Sequence, residues 1–196
     1  MNERRWSLTQ RWKPWQVVLL FGILQSAITG FGTFFDVTSG VGMFFVYVVG
    51  HLNALVVVLP ILLYRRFGVG TAVYLPWAIS GLFVEYYLEY VLYHHLRSPW
   101  GVLGWCMVGL AVGFSADLAY RYLPRVMSER RRAVLTAVTM GCVNFLLTTV
   151  AVTFFYVPAP TTFSATFPGL AYWALPWLIL NSGFGGYAAH AVARGV

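Results

Sequence analysis

Two glutamates one helical turn apart, Glu85 and Glu89, hold the most concentrated chemistry in this chain. Side chains four residues apart share a helix face, so the two carboxylates act as a pair. Tyr86, Tyr87, Tyr90 and Tyr93 interleave with them, His94 and His95 follow, and Asp36 closes an earlier apolar run. Carboxylates and tyrosine rings gathered at one edge suit a cationic or aromatic ligand, through charge pairing and cation–π contact. The same groups would equally form an interfacial salt-bridge cluster with Arg97, and residue types alone leave both readings open. A metal is not expected. Di-iron bundles pair Glu-x-x-His motifs on facing helices, whereas only one apolar segment here offers glutamates, and adjacent histidines point in different directions.

A second set is polar where its surroundings are apolar: Gln25, His51, Asn53, Asn144, Asn181 and Ser182. Each is explained singly as hydrogen-bond glue between helices. Together they would line a ligand pocket at one depth, with His51, Asn53, Asn144 and Asn181 orienting what Glu85, Glu89, Tyr86 and Tyr90 capture. Asp117 has Arg121 at i+4 and reads as half of a structural ion pair, and His190 reads as interfacial. Cys106 and Cys142 fall inside apolar runs and read as core residues. No P-loop, HExxH, GxSxG or cysteine cluster is present, so no catalytic residue and no cofactor is expected.

The elements that must position these residues are membrane spans. Hydrophobic residues make up 59% of the chain and charged residues 10%, with a mean hydropathy of +0.71. A soluble domain carries about 25% charge. A span needs about 20 mostly apolar residues, because hydrocarbon offers the backbone no outside partner. Six segments qualify, at about residues 15–35, 41–64, 69–92, 100–119, 133–156 and 168–192. They leave only short loops, so 1–196 reads as a single domain. The basic stretch before the first span leads into a full-length apolar run without a cleavage site and is not expected to be a removable signal.

The basic residues fix an orientation. Arg4, Arg5, Arg11, Lys13, Arg65, Arg66, Arg121, Arg125, Arg130, Arg131, Arg132 and Arg194 fall on one set of connections, and Arg97 alone falls on the other. The positive-inside rule puts both termini in the cytoplasm. The expected fold is therefore all-α: a multi-pass protein of the inner, or plasma, membrane. The net charge of +7 is concentrated in these connections, so nucleic acid is not an expected partner. Residues 157–167, rich in Pro, Thr and Ser, read either as a lid on the outer side or as a plain connector.

Small residues mark close helix contacts. Gly22, Ser26 and Gly30 form one stripe, Gly109 and Gly113 another, and Ser182, Gly183, Gly185 and Gly186 a third. With these glycines, the run from Ser98 to Asp117 and the final segment to Val192, the chain resembles the substrate-binding S components of energy-coupling-factor vitamin transporters, the thiamine-related group in particular. That resemblance implies uptake of a small, vitamin-like molecule, docking through Gly22, Ser26 and Gly30 onto a membrane coupling subunit, and energy from partner ATPases. A second resemblance is carried by Gly70-Thr71-Ala72-Val73-Tyr74 and Asp117-Leu118-Ala119-Tyr120. These look like segments of the membrane A subunit of ammonia and methane monooxygenases, and would imply partnership with other membrane subunits of a copper-dependent complex.

Overall fold

The computed structural model describes residues 13–39, 44–94, 96–155 and 163–195. All its elements are helical: α1 (Pro14–Ser39), α2 (Phe44–Tyr64), α3 (Val69–Glu85), α4 (Trp100–Tyr122), α5 (Glu129–Phe155) and α6 (Phe163–Gly195). A π-helical stretch, Tyr86–Leu92, continues α3 directly. Each segment read as a span falls on one helix. Among the described residues, Pro14–Gly32, Trp100–Tyr122 and Glu129–Ala151 are long and apolar enough to cross a membrane, and Val49–Tyr64 is a shorter apolar helix. The chain therefore has the make-up of a membrane protein.

The helices close a ring in the order α1, α3, α4, α5, α6, α2, and α2 also leans inward onto α3, α4 and α5. Its sequence explains that position. Val56, Val57, Val58, Leu59, Ile61 and Leu62 are buried in succession, and a helix that is apolar all round belongs in an interior. The other helices keep apolar residues on their outer faces, such as Leu19, Ile23 and Phe31 of α1, Phe83 of α3, Leu146 of α5 and Leu180 of α6. Such contiguous apolar exposure is foreign to soluble monomers and ordinary against lipid, where helices associate by packing and hydrogen bonding instead.

α3 and α4 meet backbone to backbone. A Cβ added to Gly113 would lie 2.5 Å from the Gly70 carbonyl oxygen, and one added to Gly70 would lie 2.7 Å from the Gly113 carbonyl. One turn beyond, Asp117 of α4 caps the start of α3. Its carboxylate accepts the N–H of Gly70 at 2.8 Å, the N–H of Thr71 at 2.9 Å and the hydroxyl of Thr71 at 2.8 Å. The α3 N-terminus needs this help. Its own cap residue is Gly68, at φ 91°, which offers no side chain, and the first turn of a helix leaves N–H groups unpaired and partially positive. The expected pairing of Asp117 with Arg121 is thereby corrected. Arg121 lies over the Phe67 ring, 5.4 Å from its centre, while the carboxylate, 2% exposed, serves the neighbouring helix.

Asp117→Asn keeps the shape but replaces one acceptor oxygen by a donor facing N–H groups. A hydrogen bond to a charged group contributes about 1.5–3 kcal/mol, so we expect a loss of about 2 kcal/mol. Thermal unfolding of the detergent-solubilised variant would show it, and Arg121→Gln should leave the midpoint nearly unchanged.

Candidate functional site

Glu85 is the last residue of α3, and Glu89 lies inside the π-helical stretch. The Tyr93 N–H donates to the Leu88 carbonyl at 3.0 Å, a step of five residues that defines this wider winding. Such windings are rare and recur at functional sites. Both carboxylates are withdrawn from the surface, Glu85 to 1% and Glu89 to 4% exposure. Both are engaged by neighbouring groups, and the Glu85 carboxylate stands within electrostatic reach of Cys106 on α4. Counting about 1.5 Å per residue, Glu85 sits about 24 Å along its helix from Val69. Both residues of the carboxylate pair are therefore buried, one on each side of the change from α- to π-helical winding.

The Tyr86 and Tyr90 rings pack on one another, 5.5 Å between centres at 34°. The carboxylates are thus buried, while Tyr86 is exposed and Tyr90 half-buried. The connection after this stretch is tied down: Leu96 is buried, its N–H donates to the Glu89 carbonyl, and the Arg97 N–H donates to the Phe155 carbonyl at 2.7 Å. His94 is exposed and adopts φ 54°. His95 and the side chain of Asp36 lie outside the described residues. Among the described residues, no group of three or more His, Cys, Asp or Glu is placed to hold a metal.

The mid-depth polar residues separate into two kinds. His51 and Asn181 both lie on the α2–α6 seam: the His51 ring stands edge-on to Phe184 at 6.2 Å, and Asn181 lies beside Gly50. Ser182 is buried on the α5–α6 seam against Gly141. Asn144 accepts the Thr148 hydroxyl at 3.4 Å within its own helix. These behave as glue. Gln25 and Asn53 differ. Gln25 is fully buried, and its amide N–H donates to Thr29 at 3.0 Å. Its Oε1, and the Oδ1 of Asn53, are buried without a hydrogen-bond partner. Each lies about 16 Å from the arginine-bearing end of its helix, so two orphan acceptors stand at one depth on packed helices.

The stripe on α1 faces inward. A Cβ on Gly22 would lie 2.6 Å from the Pro76 ring of α3, Gly30 faces Trp77, and the Ser26 hydroxyl donates to the Gly22 carbonyl. Within this chain the stripe seats α1 against α3. His190, expected at an interface, is buried at 8% exposure. A further polar cluster, around Tyr64, Tyr120 and Arg132, went unread in the sequence. Its tyrosines stand at helix ends, where they pass for an interfacial belt, and its arginine sits within a basic run. No protein-family model, no curated protein and no solved structure matches the chain.

Proposed function

We propose that this chain is a six-span plasma-membrane protein, both termini cytoplasmic, that binds a small cationic solute between its helices for uptake. The observation that carries this reading is the buried pair Glu85 and Glu89 on a π-helical distortion. Ionisable side chains at membrane depth are costly and mark solute or ion pathways. Two like charges on one face favour a cation between them. They stand toward the end of α3 away from the arginine-rich connections, so the solute enters from the outer side. The orphan oxygens of Gln25 and Asn53, deeper in the ring, supply acceptors for a solute that also carries N–H or O–H groups. The sequence carries no P-loop, and in this reading energy comes from partner ATPases through a membrane coupling subunit, as in the S components the chain resembles. Since α3 covers Gly22 and Gly30, the coupling subunit meets α1 on its exposed face, which carries Leu19, Leu20, Ile23 and Leu24.

The test is binding to the purified, detergent-solubilised protein. Thiamine, a cationic heteroaromatic probe, is expected to raise the thermal midpoint and to show saturable binding by calorimetry. Tetramethylammonium, a bare cation, should bind more weakly. A protein that responds to neither, and pulls down no coupling subunit from its native membrane, would leave the proposal without support.

A further inference from the structure

The arginine-rich end of the bundle carries four buried groups able to donate hydrogen bonds that the fold leaves unused. By strict geometry the hydroxyls of Tyr64, Tyr120 and Thr136 and the Nε–H of Arg132 have no hydrogen-bond partner, and the Tyr120 hydroxyl lies within close reach of the Arg132 side chain. Tyr120 is 7% exposed and Thr136 0%. Buried polar groups in folded proteins are nearly always paired, so each exception asks for an explanation.

The four groups belong to three helices that converge here. The Arg132 Nη2 donates to the Tyr120 carbonyl at 2.6 Å, and its guanidinium stacks over the Tyr120 ring at 4.2 Å. Thr136 lies one turn further along α5, on the face of Arg132. Tyr64 directly precedes Arg65, whose guanidinium reaches Glu129 at 3.2 Å, and Glu129 stands 4.0 Å from Arg132 Nη1. Two arginines share one carboxylate, so the cluster keeps an excess positive charge. Arg130 adds to it from the rim, stacked over Tyr187 at 4.7 Å.

We propose that this end of the bundle binds a phosphate-type anion, with Arg132, Tyr64, Tyr120 and Thr136 donating to its oxygens. A tetrahedral oxyanion presents many acceptor lone pairs around one centre, and arginine with hydroxyl donors is the usual way to hold it. A cation would meet the excess positive charge of Arg65 and Arg132 over Glu129, and a single water has only two lone pairs for four donors. Arg65 and Glu129, with side chains 66% and 37% exposed, form the entrance. The reading is independent of what binds at Glu85 and Glu89. A lipid headgroup and free phosphate offer the same chemistry, and the experiment separates them.

Thermal unfolding of the full-length protein is compared in inorganic phosphate and in chloride at equal ionic strength. It is then compared in nanodiscs of phosphatidylcholine with and without phosphatidic acid. The variants are Tyr64→Phe with Tyr120→Phe, which keeps the packing, and Thr136→Val. A rise in midpoint with inorganic phosphate assigns the site to a soluble phosphate. A rise with phosphatidic acid alone assigns it to a headgroup. In either case the double tyrosine variant should weaken the apparent affinity about tenfold or more, with a smaller loss for Thr136→Val. No response to either form, or a response that both variants retain in full, overturns the proposal.

Discussion

Replacing Gly113 by alanine should be among the most damaging single-methyl changes in the protein, alongside the same change at Gly185, whose added Cβ would run into the His51 carbonyl. The added Cβ would lie 2.5 Å from the Gly70 carbonyl oxygen and 2.8 Å from Cδ2 of Tyr74. The first neighbour is backbone, so no rotamer change relieves it, and α3 must move away from α4. That movement also lengthens the bonds from Gly70 and Thr71 to Asp117, because the two features lie one turn apart on the same pair of helices. Overpacking a tight site costs about 1–3 kcal/mol, and the lost cap adds to it, so we expect a loss of about 3 kcal/mol or more in detergent unfolding. Gly183→Ala is the matched control. Its Cβ would meet only Val138 at 3.6 Å and Val134 at 3.8 Å, ordinary contact distances, and its midpoint should stay near that of the parent. Equal effects from the two substitutions would contradict the described crossing of α3 and α4.

The second large effect is on ligand affinity. Glu85→Gln and Glu89→Gln preserve side-chain shape and remove one charge each. Hydrogen bonds to charged groups contribute about 1.5–3 kcal/mol, so each substitution should weaken binding of thiamine about ten- to hundredfold. Folding should survive, since neutralising a buried carboxylate removes a desolvation cost as well as an attraction. Tyr86→Ala, on the exposed side, should weaken binding far less. Calorimetric titration of the three variants gives the ranking. If Tyr86→Ala matched the glutamate variants, capture would lie on the outer aromatic surface and not at the inward carboxylates.

The positions of the helices were legible in the sequence because each lies on a long, mostly apolar run bounded by charged or turn-forming residues. The ends were less so. The run expected to begin at Ala133 starts as a helix at Glu129, and the one expected to end at Ala119 continues to Tyr122. Hydropathy marks the apolar zone, while backbone hydrogen bonds carry a helix past it into the interface. The proximity of Glu85 and Glu89 along one helix was legible from their spacing, whereas the π-helical winding between them was not. Nor was the partner of Asp117. Arg121 satisfies the local four-residue rule, whereas the true partners lie 46 and 47 residues away and meet Asp117 only once two glycines let the backbones approach. The stripe Gly22, Ser26 and Gly30 announces a close neighbour but says nothing of which one, and α3 takes that place. The exposure of Tyr86 beside the buried Glu85 follows from the position around the helix that each residue occupies. It was hidden by treating one end of a helix as a single surface.

Everything proposed for the site depends on which loops face which side of the membrane. Single cysteines placed in a background lacking Cys106 and Cys142 test this in intact cells with a membrane-impermeant maleimide. His94→Cys and Thr162→Cys are expected to react in intact cells, and Arg66→Cys and Arg131→Cys only after permeabilisation. Reaction of Arg131→Cys and Thr162→Cys from the same compartment would contradict the six-span arrangement, and with it the outward route to Glu85 and Glu89.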